Sequence, residues 1–187
     1  IIIDGGTTVV MADNSVTMRN EAFFEADSCG SIYVYGNEFG DQQWENGFEI
    51  SNCGNVMIAD VEVDCFDQFA YISYSGNVEM YDLDVYGTGA AEEPISIYQS
   101  TSLWMENCTI ECDNDYAIYV ADSSTPVVEE VVLINVSAFG YDDSTYYETI
   151  YAETAVLSMT DCDLYTEELD CVEAEVYDEA RFLRVNR

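Results

Sequence analysis

A chain of 187 residues, 49% apolar and carrying 2 Trp, 15 Tyr and 8 Phe, is long enough and apolar enough for one packed domain and is not a disordered acidic tail. Against 38 Asp and Glu stand 4 basic residues, all Arg, so the net charge is −34 and there is neither Lys nor His. Such a field repels nucleic-acid phosphates and anionic membranes and attracts cations, and no run of about 18 apolar residues exists to enter a membrane.

Along the chain one phrase recurs. It is clearest in "NCGNVMIADVEVDC" at 52–65 and "YSGNVEMYDLDVYG" at 74–87, and returns in "STSLWMENCTIEC" at 100–112, "VVLINVSA" at 131–138 and "TAVLSMTDCDLYT" at 154–166. The shared frame is apolar-x-apolar-x-Asn/Asp-apolar-x-apolar. Its leading residues are Val9, Ile32, Val56, Val78, Leu103, Val131, Leu157 and Leu183, at steps of 23, 24, 22, 25, 28, 26 and 26. Alternation with period two makes each phrase a strand with one buried face. Val56, Ile58, Val61, Val63, Val78, Met80, Leu83, Val85, Leu103, Met105 and Ile110 are the expected interior.

Each repeat also holds a second short strand: "FEIS" at 48–51, "YISY" at 71–74, "ISIY" at 95–98, "IYVA" at 118–121 and "TIYA" at 149–152. Small or polar clusters ("SCGS", "NCGN", "YSGN", "QSTS") then turn the chain. Helix-length apolar patterns are missing. Units this small bury little alone, so successive copies must stack on a common core.

The first strand of each repeat ends in Asn or Asp: Asp13, Asp60, Asp82, Asn107, Asn135 and Asp161. With this feature the whole chain resembles the right-handed parallel β-helix, or pectate-lyase-like, superfold. The resemblance implies an all-β, single-domain solenoid over 1–187 with about eight coils. It also implies that these residues stack as a ladder inside a turn, satisfying neighbouring backbone groups. Asn107 and Asn135 open the glycosylation sequons "NCT" and "NVS", and as ladder residues are expected buried and unmodified. The second repeat departs from the frame, with Gly36 in the ladder position.

The resemblance weighs against catalysis. Lyases of the superfold use acidic calcium ligands with an Arg or Lys base, and here Arg19, Arg181, Arg184 and Arg187 lie toward the two ends of the chain. Polygalacturonase-like hydrolases pair several Asp with a His and an Arg-Ile-Lys segment, which this chain lacks. Two carboxylates alone can hydrolyse glycosides, but Asp82 reads as a ladder residue and Asp113 to Asp115 as a turn. The expected protein is not an enzyme, with polysaccharide lyase or hydrolase activity the runner-up.

Other sites are read from the residues. Alternation sends Glu62, Asp84, Glu111 and Asp163 outward. Glu62 and Asp84 share a slot on strands about 4.8 Å apart, where calcium would relieve their repulsion, aided by acids of the loops along the same edge such as Asp113 and Asp115 after Glu111. The competing reading is a solvated acidic face. Tyr71, Tyr119 and Tyr151 fall in matching slots interrupted by Ser96, a stripe that suits sugar rings or another subunit, although plain strand packing of Tyr is commoner. Cys29 and Cys53, 53 − 29 = 24 residues apart in the same turn slot, are the disulfide candidates, while Cys65, Cys108, Cys112 and Cys162 fall inward as core thiols. Seven Cys leave at least one unpaired within the chain.

Two functions follow. The first is a non-enzymatic structural subunit of an extracellular or cell-surface assembly. Its copies would stack end to end into a filament, Arg181, Arg184 and Arg187 meeting the Asp4, Asp13, Glu21, Glu25 and Asp27 of the next copy. The alternative is a carbohydrate-binding or carbohydrate-active module. The opening "IIIDGG", without Met, suggests a processed product or part of a longer chain.

Overall fold

The computed structural model describes residues 1–16, 23–39, 46–65, 68–87, 93–112, 116–121, 128–140, 149–166 and 171–183. Among them every regular element is a strand. In chain order these are β1 (Ile2–Ala12), β2 (Ser15–Val16), β3 (Phe24–Tyr35), β4 (Glu38–Phe39), β5 (Asn46–Ser51) and β6 (Asn55–Cys65). There follow β7 (Gln68–Ser73), β8 (Asn77–Gly87), β9 (Ile95–Tyr98), β10 (Ser102–Glu106), β11 (Thr109–Cys112) and β12 (Ile118–Ala121). The last are β13 (Val128–Ile134), β14 (Ser137–Gly140), β15 (Ile150–Thr160), β16 (Asp163–Thr166) and β17 (Val172–Leu183).

All pairings are parallel, and each strand pairs with the equivalent strand one repeat away, which makes a solenoid with three faces. The first face stacks the opening halves of β1 and β3 with β5, β7, β9, β12 and the starts of β15 and β17. The second stacks the remainders of β1 and β3, the starts of β6 and β8, β10, β13 and the remainders of β15 and β17. The third stacks the ends of β6 and β8 with β11, β14 and β16, while β2 and β4 form a separate pair. The solenoid has about 6 turns, not eight. The repeated phrase counts rungs, and a column of rungs encloses fewer closed turns, more so where β4 does not pair with β6.

The interior follows the alternation. Ile32, Val56, Val78, Leu103, Val131 and Leu157 stack behind the second face, and all eleven residues expected inside are buried there or behind the third. At the lower end Phe48 packs edge-on against Phe23, Phe39 and Phe69, with centroids 5.6, 6.1 and 5.3 Å apart. Each fully buried side chain of this size stabilises the fold by about 1.5–3 kcal/mol.

Two corners are built from left-handed backbone. Between the first and second faces Ser28, Asn52, Tyr74 and Gln99 have φ of 57°, 53°, 50° and 46°. The next residue points inward: Cys29, Cys53, Ser75 and Ser100 are all buried. A β-carbon at Gly30, Gly54 or Gly76 would collide with the backbone carbonyl of Thr7, Gly30 or Gly54 respectively, so this corner stacks with no room for a side chain. Between the second and third faces, Asp13, Gly36, Asp60, Asp82, Asn107, Asn135 and Asp161 have φ between 51° and 62°. Gly36 thus adopts the conformation of its column without contributing a side chain. The inward Asn37 compensates, its Nδ2 donating to the Met11 and Tyr35 carbonyls and its Oδ1 accepting from Asn14 Nδ2.

The ladder differs from expectation in one respect. Its side chains lie outside the turn: Asn107 and Asn135 are exposed, so the expectation that they are buried is wrong. Asn135 Nδ2 donates to Asn107 Oδ1 at 2.9 Å, and Asn107 Nδ2 to Asp82 Oδ1 at 3.2 Å. Left-handed backbone, which Asn and Asp tolerate best, directs these side chains outward, so they bond along the column and leave the interior to apolar groups.

Candidate functional site

Outward slots decide what the solenoid presents, and the faces differ. On the second face three columns run parallel to the axis. The outermost is polar: Asn55 Nδ2 reaches Ser31 Oγ at 3.4 Å, Asn77 Nδ2 reaches Asn55 Oδ1 at 3.3 Å, and Ser102 Oγ donates to Asn77 Oδ1 at 3.1 Å. Beside it lies the column Val10, Tyr33, Met57, Glu79, Trp104 and Val132, and next to that Tyr35, Ala59, Tyr81, Glu106 and Ile134. Val10, Tyr35 and Trp104 are 57%, 38% and 38% exposed, large for apolar groups on one strip. The acids on these rungs are Glu79, Glu106, Glu129 and Glu130, and Glu79 lies directly beside Trp104. Tyr81 donates to Glu79 at 3.3 Å, and burial together with that carboxylate pushes its phenol upward.

On the third face the same strands present acids. Because β4 is not paired to β6, a groove of about 770 Å³ opens between them, lined by Glu38, Asp60, Glu62, Asp64, Asp82 and Asp84. Nearby, Asp84 is the main cause raising the Tyr86 phenol.

A family model described as "Right handed beta helix region" matches residues 1–154. The chain belongs to the right-handed β-helix family. No curated protein and no solved structure matches it. Membership of this β-helix family shows the fold and leaves the chemistry to the residues.

The predicted site residues fare unevenly on this β-helix. Glu62 and Asp84 share a slot as expected, but their column continues through Thr109 and Ser137 to Asp163, while Glu111 lies in the neighbouring column with Asp64 and Tyr86. Among the described residues no three His, Cys, Asp or Glu converge to hold a metal ion. The carboxylates are spread along rungs; Asp113 and Asp115 lie outside the described residues.

Tyr71, Tyr119 and Tyr151 occupy one outward slot with Ser96 between them, as expected, and Tyr98 leans in from two residues away to fill the gap. The disulfide is not formed. Cys29 and Cys53 are neighbouring, buried free thiols, directed to the carbonyls of Asp27 at 3.5 Å and Ser51 at 3.1 Å. Ser75 and Ser100 make the same bond from the same slot, to Ser73 and Tyr98. The position thus asks for a small donor to the preceding carbonyl. Burial pushes the Cys53 thiol up to about 11. Cys108, Cys112 and Cys162 are buried, as predicted; the side chain of Cys65 lies outside the description. Arg181 pairs through its backbone with Ser158, and Arg184 and Arg187 lie outside the described residues.

The strip around Trp104 was missed. Its signal stood in the "x" positions of the repeated frame, which beside Glu79 and Glu106 read Tyr33, Tyr35, Met57, Ala59, Tyr81, Trp104, Val132 and Ile134 where solvent-facing slots are ordinarily polar.

Proposed function

We propose that this protein is a non-enzymatic module of an extracellular or cell-surface assembly that holds a linear, uncharged polysaccharide along its second face. The observation that carries the reading is an aromatic strip, poorer in acids than the third face though it includes Glu79 and Glu106, beside an amide and hydroxyl ladder on a molecule of net charge −34. Trp and Tyr rings offer apolar surface to the C–H faces of sugars. The Asn and Ser column offers donors and acceptors to their hydroxyls. Rungs about 4.8 Å apart repeat both features along the axis, which suits a polymer lying along the solenoid. Uronate polymers are disfavoured by the field, and neutral ones are not. End-to-end stacking of copies rests on the charges of Arg181, Arg184 and Arg187; a polysaccharide held on the side is compatible with it and does not require it.

Retention on insoluble cellulose, mannan and xylan, with pectate as the anionic control, tests the reading. Binding to at least one neutral polymer is expected, at least tenfold weaker in Trp104→Ala, with no release of reducing ends. Preference for pectate, or full retention by Trp104→Ala, overturns it.

A further inference from the structure

On the first face, away from the proposed polysaccharide strip, five tyrosines form a continuous ring column. Tyr71 and Tyr98 have centroids 5.3 Å apart, Tyr98 and Tyr119 5.4 Å, and Tyr119 and Tyr151 5.0 Å with planes 15° apart. Tyr116 touches both Tyr119 and Tyr151, at 5.5 and 5.6 Å. The gap at Ser96 is closed on purpose-built terms. Ser96 is fully buried, accepts from Gln68 Nε2 at 2.8 Å and donates to Glu93 Oε2 at 3.1 Å, leaving its outward space to the Tyr98 ring. Tyr119 and Tyr151 stack and the other pairs meet tilted, so neighbouring rings cover part of one another's faces and leave the rims, where phenol oxygens and ortho carbons lie.

At the upper end Tyr151 donates to Glu153 Oε1 at 3.1 Å, a carboxylate placed to take the phenolic proton. Burial raises the Tyr98 and Tyr151 phenols above their ordinary range, so both are protonated at neutral pH and can be oxidised only by shedding that proton as well. At the lower end Tyr71 is 37% exposed.

We propose that this column is an oxidative cross-linking site in which Tyr151, Tyr119 and Tyr98 relay one-electron oxidation to Tyr71, the coupling residue. The oxidant is of the peroxidase class, using hydrogen peroxide. A phenol gives its electron to the oxidant and its proton to a base, which for Tyr151 is Glu153, and becomes a neutral phenoxyl. From ring to ring in van der Waals contact each phenol then gives electron and proton together to the phenoxyl beside it, which becomes a phenol again, while Glu153 releases its proton to solvent, until the vacancy reaches Tyr71 as a neutral phenoxyl. The Tyr71 radicals of two molecules join through ortho carbons, and the hydrogens on those carbons move back to the phenol oxygens. Two tyrosines and one hydrogen peroxide thus give one dityrosine and two waters.

Exposure alone makes a different prediction, because Tyr74 and Tyr165 are 62% and 43% exposed and stand outside the column. The protein is treated with a haem peroxidase and hydrogen peroxide in about 1 M NaCl, where screening to about 3 Å lets the acidic molecules meet. Cross-linked peptides are then mapped by mass spectrometry. The expected result is dityrosine predominantly at Tyr71, falling several-fold in Tyr98→Phe, which keeps a ring but cannot be oxidised, while coupling at Tyr74 and the circular dichroism spectrum stay unchanged. Cross-links that follow exposure with Tyr74 leading, a Tyr71 yield indifferent to Tyr98→Phe, or no dityrosine at all would each overturn the proposal.

Discussion

Strands β6 and β8 cross the second corner at Asp60 and Asp82; β6 changes there from an uncharged surface to an acidic one, while β8 carries one acid and one Tyr on each side. Before the corner their outward residues are Asn55, Met57 and Ala59, and Asn77, Glu79 and Tyr81; after it they are Glu62 and Asp64, and Asp84 and Tyr86. The inward residues on both sides are interchangeable in kind: Val56, Ile58, Val61, Val63 and their partners in β8. Core packing therefore constrains the two halves alike. What separates them is the outward residues, and the polysaccharide proposal rests on the second face being the poorer of the two in acids.

Both faces hang on one interior, so the strongest way to erase the distinction is from within. Phe48→Ala removes the ring on which Phe23, Phe39 and Phe69 rest. We expect a loss of about 3–5 kcal/mol, read as a lowered midpoint in urea titration followed by circular dichroism. A loss under about 1 kcal/mol would mean that the lower coils do not share the core.

A second test makes one face resemble the other. Trp104→Glu places a further carboxylate in the aromatic strip, and retention on neutral polysaccharide should fall further than the tenfold expected of Trp104→Ala, about 1.4 kcal/mol. The converse pair, Glu62→Gln with Asp84→Asn, should leave retention unchanged. Equal losses from the two faces would remove the functional contrast between them.

The fold was legible because buried positions alternate along the longer strands and recur at steps of 22 to 28 residues, which fixes strands, register and interior together. Glu62 opposite Asp84 and Tyr71 aligned with Tyr119 and Tyr151 follow from that register alone. The rest depended on geometry that alternation does not carry. Left-handed backbone turns Asn107 and Asn135 outward, the Tyr98 ring crosses from its own slot into that of Ser96, and the thiols of Cys29 and Cys53 choose backbone carbonyls over each other. The missing pairing of β4 with β6, which opens the acidic groove, follows a repeat whose Gly36 broke the frame, so that departure was visible while its consequence was not.

A milder test relieves the acidic face. Asp82 accepts from Asn107 but faces Asp60 on its other side, so Asp82→Asn extends the amide ladder by one donor and removes a charge. Asn is also at ease at the φ of 51° found there. We expect about 0.5 kcal/mol of added stability and a flatter response of the melting temperature to salt. Because no three carboxylates converge among the described residues, calcium and sodium chloride should raise the melting temperature of the parent equally at matched ionic strength. A larger rise with calcium would point to a true site completed by residues such as Asp113 and Asp115.

The smallest effect concerns an acid that has donors of its own. Asp27, at the first corner, accepts at Oδ1 from Ser51 Oγ and Asn52 Nδ2, both at 2.7 Å, and at Oδ2 from Ser28 Oγ at 2.8 Å. These bonds, Asn52 foremost, hold its carboxyl down from 3.8 to about 2. A carboxyl depressed in the folded state binds its proton more readily when unfolded, so its stabilisation is fully present above pH 3.8 and fades as the pH falls toward about 2. The net charge acts in the opposite sense, since a molecule of −34 repels itself less as its overall charge falls with pH. Asp27→Asn separates the two trends. The variant keeps an acceptor and a side chain of the same shape but has no charge to titrate. Its melting temperature should lie slightly below that of the parent above pH 4, and the gap should close between pH 4 and 2. A gap that stays constant across that window would show that the three hydrogen bonds stabilise the corner without regard to the charge of Asp27.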